Sequence, residues 1–272
     1  MGLAQIGILC ASHEKPSLSP KKMPREFDAD EPEMMDRPQP VSSELERDLT
    51  NLVSLNRWFG SRRQLLHFLR RWWRADETCR VLDLCTGAGD LPRVMVDFAR
   101  HRGIAIRVVA VDANPATLAI ARRLSEGYPE INFVEGNALT FGAAGEYDLV
   151  HSSLALHHFS DSDATRLLSR CRKLSKRWVL ISDLERSFPT TLGVWLLTAL
   201  IYRDPMTGHD GRVSAKRAFS FGELHGLAEA AGWEDFGHAR FLACRQALWL
   251  EDAAETEEVG EEVGLPPEPC PG

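Results

Sequence analysis

Val81 to Pro92 reads VLDLCTGAGDLP. An apolar run ends in an acid, Asp83, and two glycines one residue apart, Gly87 and Gly89, lead to Pro92. Proline suits the first turn of a helix, where its missing N–H would have no partner anyway. Strand, tight turn and helix make the unit from which open parallel sheets are built, and ligands gather at the turns outside the carboxyl ends of the strands. Glycine at such a turn lets the backbone approach a ligand with no Cβ in between.

The alternation continues on either side of that stretch. A helix from about Pro92 to His101 follows it, then IRVVAVD and a helix over Ala116–Glu126, then INFVEG, then YDLVHSS and a helix over Asp161–Leu174, then RWVLISDL. Strands and helices taking turns predict a parallel sheet covered by helices on both faces. Beyond it the sequence predicts an apolar helix over 190–202, a loop DPMTGHDGRVS and a helix from Ser220 with Glu223 at capping-box spacing. Two closing strands around 234–241 and 244–250 complete the pattern. Upstream, Leu45–Trp73 has helical spacing of Leu, Trp and Phe broken by Gly60, which predicts one or two helices over the ligand edge of the sheet.

The chain has 272 residues, 44% of them hydrophobic and 26% charged, enough to bury the core of one α/β domain. Residues 11 to about 43 are crowded with Pro, Lys, Glu and Asp without an apolar period, and 251–272 are acidic and proline-ended, so 1–43 and 251–272 are expected to be disordered tails around a domain at 44–250. A net charge of −7 argues against a nucleic-acid surface built on overall charge, and the Arg57, Arg62, Arg63, Arg70, Arg71, Arg74 cluster is expected to be a solvated helix face. The cysteines form no C-x-x-C pair and have no histidine at zinc spacing, so no metal site is expected and a reducing, cytoplasmic setting fits. The first residues carry neither the basic start of a signal peptide nor a myristoylation pattern. The stretch 190–202 is too short for a membrane span, so no stable insertion is expected. Oligomeric state is not legible.

A dinucleotide fingerprint needs a third glycine at position 92, and a pyrophosphate prefers bare helix N–H groups to Asp90 and Pro92. A Walker A loop is absent as well. VVAVDANP places Asp112 about twenty residues beyond the glycine turn, where a carboxylate can accept both hydroxyls of a ribose. The expected ligand is therefore a nucleoside without a pyrophosphate, and S-adenosylmethionine (SAM) fits. Its amino-acid end would lie near Asp83 and the glycine turn.

From Arg80 to Leu184, and more weakly to Leu250, the chain resembles the class I SAM-dependent methyltransferases, most closely those acting on quinones and other small molecules. VLDLCTGAGD is similar to that family's first motif, VVAVDANP to its second, FVEGNAL to its third and YDLVHSSLALHHFSD to its fourth. The resemblance implies a Rossmann-like α/β fold with a seven-stranded, mostly parallel sheet, helices on both faces, an N-terminal helical cap and a lid helix inserted after strand five. It implies cofactor contacts from Asp83, Gly87, Gly89, Asp112 and Ala113, an adenine edge at Asn137 and Ala138, and a wall beside the methionine chain at Ser152. Where the family often carries Asp, this chain has Asn137, whose amide oxygen still accepts from the adenine amino group.

Methyl transfer from a sulfonium needs a nucleophile within roughly 3 Å of the methyl carbon and exclusion of water. A phenolic acceptor needs help to lose its proton at neutral pH, and histidine is the natural base. His209 with Asp210 in the predicted loop, flanked by Gly208 and Gly211, and His157 and His158 after strand four are the candidates; a capped turn for the first, and one packing and one exposed residue for the second, are the competing explanations. Asp183 could hold a substrate hydroxyl or cap the next helix, Arg212 and Arg217 could meet an anionic group, and Arg57 or Arg62 could pair the methionine carboxylate. The expected acceptor is a small, largely apolar molecule with a phenolic, quinol or polyketide-like hydroxyl, and no nucleic acid is expected. C-methylation of an activated ring, a SAM-binding regulator without catalysis and a nicotinamide oxidoreductase are the alternatives.

Overall fold

The computed structural model describes residues 23–241 and 244–251. Its centre is a seven-stranded sheet in the order β3-β2-β1-β4-β5-β7-β6. Strands β1 (Thr78–Leu84), β2 (Ala105–Asp112), β3 (Ile131–Glu135), β4 (Tyr147–Ser153) and β5 (Ser175–Leu184) pair in parallel. The closing strands β6 (Gly237–Phe241) and β7 (Arg245–Glu251) run antiparallel, β7 against β5.

Strand periodicity decides which face each residue serves. Val81 joins Leu149 and Leu180 in a layer with Leu65, Phe68 and Met95, whereas the next residue, Leu82, joins Val150 and Ile181 in a layer with Leu168, Cys171 and Leu224. Both strand faces are thus buried, as a parallel sheet requires. The first layer is covered by α2 (Ser61–Trp72) and α3 (Asp90–Arg102), and the second by α5 (Asp161–Leu174) and α8 (Phe221–Ala230). The bounds of α5 are those read from the sequence, set by the Ser160 hydroxyl accepting the Asp163 N–H at 3.1 Å. The capping box of Ser220 and Glu223 likewise opens α8.

Upstream, α1 (Ser43–Trp58) and α2 are two helices, separated at Gly60, whose φ of 104° is open to glycine. With α4 (Pro115–Leu124), α1 forms a smaller core through Leu45, Leu49, Ala116 and Ile120.

Two expectations are corrected. The predicted loop DPMTGHDGRVS is largely a helix, α7 (Pro205–Arg217). Asp204 caps it, accepting the N–H groups of Met206 and Thr207 at 3.1 and 3.0 Å, with Pro205 opening the first turn. Its glycines serve packing: a Cβ on Gly211 would lie 3.2 Å from Val194 Cγ1 and 3.3 Å from Thr198 Cγ2 on the preceding helix. That helix, α6 (Phe188–Leu197), continues as a π-helical turn, Thr198–Tyr202.

The second correction concerns the expected disorder over 1–43. Met23–Val41 lies along the body as a strap. The Arg25 guanidinium donates to Asp161 at 2.6 Å, Phe159 O at 2.7 Å and Arg217 O at 2.6 Å, and sits 3.8 Å from the centre of the Phe219 ring. The N–H groups of Met34 and Met35 donate to the Asp210 carboxylate at 2.8 and 2.9 Å. Low hydrophobicity hid a segment held by charge-assisted hydrogen bonds instead of apolar burial. The expected disorder of 1–22 and 252–272, together with Cys10 and Cys270, lies outside the described residues. Cys79, Cys85, Cys171 and Cys244 are free thiols.

On α6 and its π-helical continuation, Phe188, Leu192, Trp195, Leu196, Leu200 and Ile201 stand in the open. Among the described residues, no helix is long and apolar enough to cross a membrane.

Candidate active site

A cavity of about 740 Å³ lies at the carboxyl ends of β1, β2, β4 and β5, walled by α1, the strap, α6 and α7. The glycine turn forms its floor. Gly87 has φ +54°, and a Cβ there would have no atom within 4 Å. Its N–H donates to Asp112 Oδ2 at 2.9 Å, while Asp112 Oδ1 accepts the Asn114 N–H at 3.0 Å. The carboxylate that ends β2 is therefore fixed to the turn that ends β1. Burial pushes its pKa up, against the pull of these two donors.

Asp83 accepts from Thr86 Oγ1 at 2.6 Å and pairs with His151 Nδ1 at 2.5 Å, which holds the end of β1 rigid. Asp83, Gly87, Asp112 and Ala113 all line the cavity. Gly89 does not; it caps α3 with φ +68°, and a Cβ there would come within 2.8 Å of the Phe133 ring. Asn137, Ala138 and Ser152 also lie off the cavity wall. Asn137 Oδ1 accepts the Leu139 N–H at 2.8 Å, Ala138 is packed in the core, and the Ser152 hydroxyl donates to Leu84 O at 3.0 Å. The strand-four residue that does line it is Ser153, whose buried hydroxyl has no partner among the described residues.

The histidines divide differently from the sequence reading. His209 lines a separate outer groove with Arg203, Arg212 and Lys216, and its Nδ1 lies 2.9 Å from Asp210. Asp210 borders the main cavity, but its carboxylate is occupied by Met34, Met35 and His209. His157 and His158 both line the main cavity. His157 Nδ1 is 2.6 Å from Asp183 Oδ1, its own N–H donates to Asp183 Oδ2 at 2.9 Å, and its Nε2 is buried without a hydrogen-bond partner. Burial opposes ionisation of Asp183, yet His157 and the Leu184 N–H outweigh it and hold the carboxyl below its usual range. The two residues lie 26 positions apart, on different strand ends, so no local pattern announced the pair.

His158 is set up otherwise. Its Nδ1 meets Asp36 at 2.6 Å, and its Nε2 faces Glu33 at 3.9 Å. Burial disfavours its charge, but the Glu33 and Asp36 carboxylates prevail and push its pKa up to about 10. Glu33, His157 and His158 place one donor atom each within 4.8 Å of one another, a spacing open to a cation, although protonated His158 already balances Glu33 there.

Leu52 and Leu55 from α1, Phe59 at its end, and Phe159, Val194 and Leu197 give the wall its apolar part, beside polar groups such as Asp48, Asn56, Asp90 and Thr207. Arg57, Arg62, Arg212 and Arg217 do not reach this cavity; Arg217 is spent on the strap carbonyl of Asp28 at 2.6 Å. Arg245, which the sequence did not single out, does.

Residues 81–177 match the family model described as a methyltransferase domain. The chain is 44% identical over 68 residues to a 2-phytyl-1,4-naphtoquinone methyltransferase of Thermosynechococcus vestitus, covering 25% of this chain and 29% of that one. It is 37% identical over 84 residues to a demethylmenaquinone methyltransferase of Thermus thermophilus, covering 30% and 36%. The chain thus spans well under half the length of both relatives. Its fold is similar to that of human N-acetylserotonin methyltransferase in complex with SAM, with a TM-score of 0.54, 23% identity and coverage of 77% of this chain and 56% of that one.

Proposed function

We propose that the chain is a class I, SAM-dependent methyltransferase, a reading supported by the match of residues 81–177 to a methyltransferase-domain model, and that it methylates the hydroxyl of a small, largely apolar phenol or quinol held in the 740 Å³ cavity. The cofactor is SAM, which when bound supplies an electrophilic methyl group on a charged sulfur. Asp112, with its carboxylate fixed at the end of β2, is suited to accept from ribose hydroxyls, and Gly87 leaves the room a Cβ would take. Asp83 and the glycine turn border the methionine end.

The observation that carries the reading is the His157–Asp183 pair beside the cavity, whose buried Nε2 has no hydrogen-bond partner and lies 3.7 Å from Glu33. A phenolic hydroxyl with a pKa near 10 is mostly protonated at neutral pH and a poor nucleophile. His157 Nε2 takes that proton as the new bond forms, and anionic Asp183 holds the ring by Nδ1 and stabilises the imidazolium. His158, protonated between Glu33 and Asp36, offers no lone pair for this task and instead keeps the strap against the cavity. The leucines and Phe59 of α1 on one side, and the inner face of α6 acting as a lid on the other, keep water away and select a flat, greasy acceptor.

With labelled SAM and a panel of reduced quinones and phenols, His157→Ala is expected to lower kcat by about 10²–10⁴-fold and leave the affinity for SAM unchanged. Full activity in that variant refutes the assigned base. The naphthoquinone and menaquinone names of the relatives favour a second reading, methylation at a ring carbon. Removing the hydroxyl proton spreads charge onto the ring as well, so the same base serves both. Carbon NMR of the ¹³C-methylated product separates an O-methyl from a C-methyl group.

A further inference from the structure

Arg245 opens β7 and is only 3% exposed, yet its Nε and Nη1 have no hydrogen-bond partner among the described residues. The other deeply buried arginines spend their donors inside the protein. Arg186 holds Glu223 at 2.7 Å and the Met23 carbonyl at 3.0 Å, and Arg217 binds strap carbonyls. Arg245 instead lines the cavity beside Leu184. The carboxylates that act on it through space are committed elsewhere, Asp183 to His157 at 2.6 Å and Asp90 to Asn56 at 3.1 Å. A guanidinium out of water with a free fork is a poor arrangement for stability and a good one for gripping an oxyanion.

The sheet order says which part of a ligand arrives there. Asp112 ends β2, and Arg245 begins β7 four strand positions away across β1, β4 and β5. At the usual spacing between strands that is ~19 Å. The methionine carboxylate lies about six bonds from the ribose ring, roughly half that reach. Arg245 is the neighbour of Leu184 and lies on the side of Asp183 and His157, where the acceptor sits.

We propose that Arg245 anchors an acidic oxygen group on the acceptor, a carboxylate on the aromatic ring, and so makes the enzyme prefer acidic phenols and quinols over neutral ones. This rests on the methyl-transfer reading above for the acceptor's place, but its test needs no turnover. The guanidinium fork pairs the carboxylate at one end of the ring while the hydroxyl at the other end meets His157 Nε2. One of the two unpartnered donors, Nε or Nη1, sharing an edge of the guanidinium with Nη2, then gains its missing partner only when the right acceptor is present.

Calorimetry on the full chain, with the demethylated cofactor product in excess, compares a dihydroxynaphthoate with the matching dihydroxynaphthalene. Wild type is expected to bind the naphthoate about 10- to 100-fold more tightly, the range of a charge-assisted hydrogen-bonded pair. Arg245→Met, apolar and of similar length, is expected to lose that preference, and Arg245→Lys to keep part of it, with SAM affinity unchanged in both. Equal binding of the two compounds by wild type overturns the proposal without any variant. So does a loss of SAM affinity in Arg245→Met with the naphthoate preference intact, since the guanidinium then holds the cofactor's own carboxylate. If neither compound is methylated by wild type although the naphthoate binds through Arg245, the methyl-transfer reading fails and the anion site stands.

Discussion

Asp48 is buried on the cavity wall, where Thr207 donates to its Oδ1 at 2.6 Å and its Oδ2 has no partner. Burial raises its pKa to about 7. Below pH ~4 the folded and unfolded chains both carry this proton; between about 4 and 7 only the folded chain keeps it, so stability falls as pH rises through that window. Asp48→Asn removes the ionisation, and thermal melts are expected to show a flatter pH profile and a gain on the order of 3 kcal/mol at pH 8 relative to wild type. His158 acts in the same direction in a higher window: its pKa is pushed up to about 10, so its contribution is full below pH ~6.5 and is lost as pH rises towards 10. That Gly87, Asp83 and Asp112 come together on one cavity was legible because each sits at a fixed offset from a strand end. His157 with Asp183 was not, because only the pairing of β4 with β5 brings together residues 26 positions apart. Asn137 and Ser152 lie off the cavity wall, since a position inside a motif says which loop a residue belongs to and not which way its side chain faces.

At the level of elements, apolar periodicity gave the parallel strands and α5, where core and surface alternate cleanly. It failed for α7, whose two glycines and charged residues read as a loop. The Asp204–Pro205 pair was the available signal, a cap followed by a first-turn proline, and the glycines owe their presence to the close approach of α6. Gly211→Val is therefore expected to push α6 and α7 apart, destabilising by about 1–3 kcal/mol as overpacking does. Denaturant melts measure that cost. Ser220→Ala, which removes the capping box of α8, should lose about 1 kcal/mol by the same assay without touching the cavity.

Across the whole molecule, the family match begins at residue 81, yet walls of the site come from before it: Glu33 and Asp36 from the strap, Leu52 and Phe59 from α1. A chain shortened to begin at Ser42 retains all seven strands and is expected to keep its far-UV circular dichroism while losing methyl transfer. Retained activity in that shortened chain rules out a role for the strap in closing the cavity. Composition could not show this, because the strap is held largely by the hydrogen bonds of Arg25, Glu33 and Asp210, with Met35 as its apolar contact to the core of α1 and α4.

Whoever purifies the protein will meet the outer side of α6 first. Phe188, Trp195, Leu200 and Ile201 form a greasy strip on a chain whose full sequence carries a net charge of −7. Kosmotropic salt raises the cost of wetting such a strip, so ammonium sulfate should salt the chain out earlier than its charge suggests, and a mild non-ionic surfactant should bring it back.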